Sequence, residues 1–240
     1  MMKFCISLLL STLILSSPAT YAASWYKVEV VVFANQNSSA LTDEFWPESL
    51  EIPSPSNAIA LKARNAEGSA YKKLSGDALS LHGAKKRLNN SGAYRVLFHE
   101  GWMQPVRHTQ NPRPIRITGG NILDNGMYEL DGHIAVGRGT YLHFRPNLFL
   151  SKQLTADQTA MLKQASSNTP INETEENSAA SLLTMQASSD AESSLDQNIL
   201  MDIPEILTVN LDQARRMKSK ELHFIDHPLM GILVEIKPVN

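Results

Sequence analysis

Alternation of apolar and polar side chains at a spacing of two residues recurs along this 240-residue chain and constrains its fold more than any other feature. The clearest instance is Trp25–Phe33, whose even-numbered residues from Tyr26 to Val32 form one apolar face while Lys27 and Glu29 lie on the other. This period is typical of β-strands, in which successive side chains point to opposite faces. The same reasoning predicts strands at Tyr94–His99, Ile115–Thr118, Tyr128–Val136, Tyr141–Leu150, Ile206–Leu211, Met217–Ile225 and Gly231–Lys237.

Two pairs of these segments are separated by turn residues and are predicted to form hairpins. Gly137-Arg138-Gly139 joins the first pair, Tyr128–Val136 and Tyr141–Leu150. Asp226-His227-Pro228 joins the C-terminal pair.

The sequence predicts one main helix, over residues 78–90, which Asp77 would cap and Gly92 would end. The residues expected to be buried are leucines, and the face expected to be exposed to solvent is basic. About seven strands and one such helix indicate an α+β fold, in which the helix packs on one face of a mostly antiparallel sheet. The expected buried positions are Leu79, Leu81 and Leu88, and the expected solvent-exposed positions are Lys85, Lys86 and Arg87.

Residues 155–200 differ from the rest of the chain. They contain 21 Ser, Thr, Asn and Gln residues in 46 positions, no aromatic residue, and seven acidic residues against Lys163 alone. Such a segment buries too little apolar surface to offset the conformational entropy lost on ordering. Apart from a short helix over 156–165, favoured by a capping box at Thr155–Gln158, we expect a flexible insertion. It would divide a single domain into residues 23–154 and 201–240.

Residues 1–22 are typical of a secretory signal peptide. Lys3 precedes a short apolar run, and Ala19-Thr20-Tyr21-Ala22 offers a cleavage site. Cleavage would remove Cys5, the only cysteine, before the protein reaches an oxidising compartment. We therefore expect a periplasmic protein without a membrane span after signal cleavage.

The net charge also differs between the insertion and the rest of the chain. The formal net charge of −2 becomes −3 without Lys3; the insertion carries −6, so the remaining 172 residues carry +3. A mildly basic core permits affinity for an anionic polymer, but the whole-chain charge gives no reason to expect nucleic-acid binding.

The densest polar segment is Leu211–Pro228, in which four of the six residues 215–220 are basic. In an extended chain Arg216, Lys218 and Lys220 would share one face. One interpretation is a solvated edge strand that lysines protect from aggregation. The other is a binding strip for carboxylate or phosphate groups, formed by Arg215, Arg216, Lys218, Lys220 and His223.

A second group of candidate binding residues lies around the first predicted hairpin. Tyr141, His143 and Arg145 alternate with apolar residues, so with Arg138 they would line a polar groove on an uncovered sheet face. Trp102 and Trp46 are candidate stacking platforms for sugar rings, although a buried aromatic anchor is the commoner role of a tryptophan.

Motifs of the common enzyme classes are missing from the sequence. It has no G-x-S-x-G elbow, no phosphate-binding loop and no dinucleotide fingerprint, and no cysteine remains after cleavage. His223 and His227 have the spacing of a zinc pair on a helix, but the period-two pattern and Pro228 argue against a helix there. We therefore expect no metal ion or other cofactor. A wall hydrolase using Glu129, Asp131 or Glu221 stays open as an alternative without a motif to support it.

Five blocks of residues together resemble a known family. In order, they begin with the strand Trp25–Phe33 and end with the basic block Arg215–Pro228, which is the most specific part of the likeness. The chain is similar to the CsiV family of periplasmic peptidoglycan-binding proteins over nearly its whole length, except the insertion. The other three blocks are Glu44-Phe45-Trp46-Pro47, Tyr94–Trp102 and Tyr141–Phe144.

The resemblance implies a non-enzymatic adaptor that binds peptidoglycan and supports cell-wall synthesis. It also implies action with an outer-membrane lipoprotein that activates a class A penicillin-binding protein. It transfers no binding residues, so the candidates above rest on the residues alone. The alternative is a periplasmic protein-binding module, or a chaperone for such a lipoprotein, without direct glycan affinity; the acidic insertion favours it by offering a surface for a basic partner.

Overall fold

The computed structural model describes residues 24–42, 50–106, 111–167 and 204–239. The predicted signal peptide, the Glu44–Pro47 block and most of the predicted insertion lie outside these ranges. Within them the chain forms two α-helices and ten strands: β1 Ser24–Asn35, β2 Ile59–Ala60, α1 His82–Asn90, β3 Tyr94–Val106, β4 Ile115–Ile122, β5 Tyr128–Arg138, β6 Leu142–Gln153, α2 Ala156–Ser167, β7 Ile206–Asp212, β8 Arg215–Met217, β9 Leu222–Asp226 and β10 Met230–Pro238.

The strands form two sheets that share one apolar core. One sheet has the order β3-β1-β10-β9, and the other has the order β2-β4-β5-β6-β7, with β8 also paired to β6. All pairs are antiparallel except the short β2–β4 pair. The inner face of β1, with Val28, Val30 and Val32, packs in one cluster with Phe144 and Leu148 of β6.

The structure confirms an α+β fold with mostly antiparallel sheets, but the prediction of one sheet of about seven strands was wrong. A single open sheet would leave one apolar face to be covered by the helix alone. Here each sheet covers the apolar face of the other, and α1 packs on the outer face of the four-stranded sheet against Val31, Phe33 and Leu233.

The two predicted hairpins are present, with one change. β5 and β6 pair antiparallel around Gly139, and β9 and β10 pair antiparallel. However, the predicted strand Met217–Ile225 is two strands in different sheets. Lys218–Glu221 form a turn between them, in which Lys220 has a φ of 68°. The chain crosses here from the edge of one sheet to the edge of the other.

Helix α1 starts later than predicted, and the acidic group at its N-terminus belongs to another element. Asp77 lies in a short 3₁₀ turn, Gly76–Ala78, and does not cap α1. Glu29 of β1 instead accepts hydrogen bonds from the backbone N–H groups of Ser80 and Leu81, each at 2.8 Å. A carboxylate at this position satisfies free N–H groups and complements the helix dipole.

Glu29 is 1% exposed although it lies on the face predicted to be polar. His99 Nε2 donates to its Oε1 at 3.0 Å, and the Ser80 hydroxyl lies 2.8 Å from Oε2. Burial raises the pKa of this carboxyl, but the hydrogen bonds from His99, Ser80 and Leu81 outweigh burial and lower the pKa to about 2. The ionised Glu29 therefore holds α1 on the sheet.

The short helix predicted over 156–165 is confirmed as α2. Its capping box is reciprocal: Gln158 N donates to Thr155 Oγ1 at 3.3 Å, and Thr155 N donates to Gln158 Oε1 at 3.1 Å. Neither helix within the described ranges is long and apolar enough to cross a membrane.

Candidate functional site

The structure brings together four of the predicted binding residues at the start of β6. Arg216 of β8 lies directly opposite His143 of β6, and its guanidinium carbon is 4.5 Å from the centre of the Tyr141 ring. Arg145 lies two residues beyond His143, on the same outer face of the six-stranded sheet. We call Tyr141, His143, Arg145 and Arg216 the Tyr141 platform.

The Tyr141 platform is open to solvent and basic. Tyr141 is 52% exposed, and Arg145 and Arg216 are also exposed. Among the described residues, no carboxylate pairs with Arg216, so its contact with the Tyr141 ring is what holds the guanidinium. An arginine fixed in this way presents its N–H fork to a carboxylate with less conformational entropy left to lose.

Arg138 and Arg215 are close to the platform in the chain but lie on the other side of the sheet. Arg138 is opposite Leu142, and its Nη1 donates to the hydroxyl of Tyr26 at 3.0 Å, which ties the hairpin to β1. Arg215 is opposite Phe144, so alternation turns it away from Arg216, although it remains exposed at the sheet edge.

The predicted basic strip does not continue beyond β8. Lys218 and Lys220 lie in the exposed turn before β9, where Lys218 Nζ is 3.7 Å from Glu221 Oε1. His223 is half-buried, and its Nε2 accepts a hydrogen bond from the backbone N–H of Lys218 at 3.4 Å. The expectation that Arg216, Lys218 and Lys220 share one face was wrong because the chain turns between them.

Trp102 is not a surface platform for sugar rings. Its side chain is 0% exposed and lies opposite Val28 in the core. The indole Nε1 donates to Oε1 of the buried Gln104 at 2.8 Å. Trp102 is therefore the buried aromatic anchor that the sequence offered as the commoner role, and Trp46 lies outside the described residues.

The sequence did not single out a polar row that extends the outer face beyond the platform. His133 of β5 lies opposite both Arg116 and Asn147, and Asn147 lies opposite Asp212. Burial lowers the pKa of His133, Asp212 raises it and Arg116 lowers it, with a net decrease. Arg116 and Asn147 each have apolar neighbours along their strands, but only the register between strands shows that these residues form one row.

Two of the three carboxylates considered for a wall hydrolase are engaged by arginines, and the third, Glu221, lies in the exposed turn beside Lys218. Glu129 forms an ion pair with Arg95, and Asp131 lies 2.5 Å from Nη2 of Arg116. Within the described ranges, no three His, Cys, Asp or Glu side chains are grouped as a metal site would require. The residues of the Tyr141 platform offer electrostatic and stacking contacts to a ligand.

One of three comparisons with known proteins agrees with the likeness seen in the sequence. A family model described as peptidoglycan-binding protein, CsiV, matches residues 4–239. No curated protein and no solved structure matches the chain.

Proposed function

Because the chain belongs to the CsiV family of peptidoglycan-binding proteins, we propose that it binds peptidoglycan in the periplasm as a non-enzymatic adaptor for cell-wall synthesis. The observation that carries the choice of site is the contact between Arg216 and the exposed ring of Tyr141. Free carboxylates of the stem peptides are suitable ligands for the guanidinium groups of Arg145 and Arg216. The exposed part of the Tyr141 side chain provides an apolar surface for a sugar ring.

We expect replacement of both Tyr141 and Arg216 by alanine to weaken retention on purified sacculi by about ten-fold or more. The variant loses a charge-assisted hydrogen bond, together with the ring that orients the donor. The measurement is co-sedimentation with sacculi over a range of protein concentrations. Because the contact involves exposed charges, wild-type retention should also fall as salt is raised.

Arg87→Ala is the matched control, because Arg87 is an exposed arginine on α1 and lies outside the platform. Its retention should equal that of the wild type. If the double variant is retained as well as Arg87→Ala, the platform is not the binding site. A wild-type protein that stays in the supernatant at low salt contradicts peptidoglycan binding itself.

We further propose that the adaptor contacts a protein partner, the outer-membrane lipoprotein activator of a class A penicillin-binding protein, through edge strand β9. Leu222 and Phe224 point to the same face of β9 and are 51% and 48% exposed. Phe224 stacks on Phe33 at 6.3 Å between ring centroids, so it is held in place. An exposed apolar edge strand is a common site for pairing with another chain.

A protein-binding module without glycan affinity would use the same contact. Lipoprotein capture and sacculus retention, measured on the wild type and on one double variant, distinguish the two functions. Leu222→Ser with Phe224→Ser should abolish capture of the purified lipoprotein while leaving sacculus retention unchanged. Unchanged capture contradicts the β9 contact. Capture by a wild-type protein that sacculi do not retain would favour the module without glycan affinity.

A further inference from the structure

A cavity of about 230 Å³ lies at the end of the sandwich where β6 finishes. Its walls come from the end of β1 at Asn35, the start of β3 at Arg95, the end of β4 at Asn121, and from Glu129 and Lys152. Tyr141 and Lys152 are at opposite ends of β6, roughly 35 Å apart for an extended strand. The cavity is therefore separate from the Tyr141 platform.

Among the described residues, Glu129 is the one carboxylate in the cavity wall, and it is already satisfied by the protein. Glu129 forms its ion pair with Arg95, and its Oε2 accepts a hydrogen bond from the backbone N–H of Asn121 at 3.1 Å. Gly120 permits this close approach: it has a φ of 71°, and a Cβ there would lie 2.7 Å from Oε2 of Glu129. Arg95 and Glu129 balance each other in charge.

Because Arg95 and Glu129 pair with each other, the positive charge of Lys152 is not balanced within the described cavity wall. Lys152 is half-buried in the cavity wall, and no described residue forms an ion pair or hydrogen bond with its ammonium group. Burial lowers the pKa of Lys152, the nearby Glu129 raises it, and Arg95 lowers it, with a net decrease. A partly desolvated ammonium without a counter-ion is unfavourable, and an anion bound in the cavity would relieve this penalty.

The size of the cavity limits what the anion can belong to. Sites for drug-sized ligands occupy about 300–1,000 Å³. The cavity is smaller, so it holds only part of a larger ligand, about one or two amino-acid residues. The amide residues Gln36, Asn121 and Gln153 line it, and their side chains suit the peptide groups of such a ligand.

We propose that this cavity binds the carboxylate-bearing end of a short peptide, with Lys152 as the group that pairs with the carboxylate. The identification of that peptide as a peptidoglycan stem peptide rests on the proposed function, whereas the carboxylate preference does not. The protein would then contact the wall at two places, with the Tyr141 platform on one part of the polymer and the cavity on a peptide end.

The test uses the full chain and the tripeptide L-Ala-γ-D-Glu-meso-diaminopimelate, with calorimetric titration as the measurement. Wild-type protein should bind the tripeptide saturably, and Lys152→Gln should bind it about ten-fold more weakly or worse. The same tripeptide with its carboxylates amidated should lose a similar factor with wild-type protein. Lys86→Gln, which changes an exposed lysine on α1, is the matched control and should bind as the wild type does.

A measurement on unmutated protein keeps the test independent of whether Lys152→Gln folds. In an amide NMR spectrum, the tripeptide should shift the side-chain signals of Gln36, Asn121 and Gln153. Equal affinity of wild type and Lys152→Gln, equal affinity for free and amidated tripeptide, or unshifted amides would each overturn the proposal. Tripeptide binding by a protein that sacculi do not retain would support the cavity and contradict only the proposed function.

Discussion

Replacing Trp102 by alanine is expected to lower the free energy of unfolding by about 3–5 kcal/mol, as large-to-small changes of buried aromatic residues do. The indole is 0% exposed, and its loss leaves a cavity opposite Val28. It also leaves Oε1 of the buried Gln104 without its hydrogen-bond donor, which adds a further penalty. Since single domains are stable by only about 5–15 kcal/mol, urea denaturation should place this variant close to unfolding.

Tyr128→Ala is the control, because Tyr128 is an exposed aromatic residue at the start of β5. It should change stability by no more than about 0.5 kcal/mol. Trp102→Phe keeps most of the packing and allows function to be measured on a folded protein, which sacculi should retain as they do the wild type. Weaker retention of folded Trp102→Phe, at unchanged stability, would restore Trp102 as a sugar-binding residue.

The second large effect is expected for Glu29→Gln, which should lower the free energy of unfolding at pH 7 by about 3 kcal/mol. The pKa of Glu29 is lowered from 4.5 to about 2 in the folded protein. Each unit of this difference corresponds to about 1.4 kcal/mol of preference for the ionised form in the folded state. The variant keeps the shape of the side chain and removes the charge that the N–H groups of Ser80 and Leu81 and the ring of His99 stabilise.

The lowered pKa of Glu29 also predicts how the stability difference between wild type and Glu29→Gln depends on pH. A carboxyl whose pKa is lowered by folding stabilises the protein fully above its unfolded pKa of 4.5, and this stabilisation is lost as the pH falls towards 2. The difference between wild type and Glu29→Gln should therefore be constant above about pH 5 and decrease progressively below it. Urea denaturation at several pH values measures this difference, and comparing the two proteins cancels the titration of other carboxyls.

Glu67→Gln provides the matched control, since Glu67 is exposed and the same charge is removed. It should change stability little at any pH. A difference between wild type and Glu29→Gln that stays the same from pH 7 to pH 2.5 would show that Glu29 does not act through its charge.

Much of the fold could be predicted because it depends on local pattern and turn chemistry. Alternation located the strands, and the glycines around Arg138 and the Asp226–Pro228 turn located the two hairpins. Thr155 and Gln158 placed α2 through a capping box that involves only neighbouring residues. These signals depend only on residues that are close in the chain, so they can be read from the sequence without the tertiary structure.

The site was predicted only in part because it depends on register between distant segments. Tyr141 and Arg216 are 75 positions apart, and only the pairing of β6 with β8 brings them into contact. The turn at Lys218–Glu221 moves Lys218 and Lys220 out of line with Arg216, although period-two spacing had suggested a continuous strip. The row through Arg116, His133 and Asn147 likewise requires the register of three strands.

The sequence by itself determined most of the strands, the two hairpins and the two helices, and its five blocks of residues indicated the family. Tertiary structure alone decided which side chains are buried, paired or exposed. It buried Glu29 beneath α1 and Trp102 in the core, and left Tyr141 in solvent. It also placed Lys152 in a cavity wall, where no residue in the described part of the chain pairs with its ammonium group. The reason is physical: secondary structure follows from the preferences of neighbouring residues, whereas solvation and charge pairing depend on which distant segments come together.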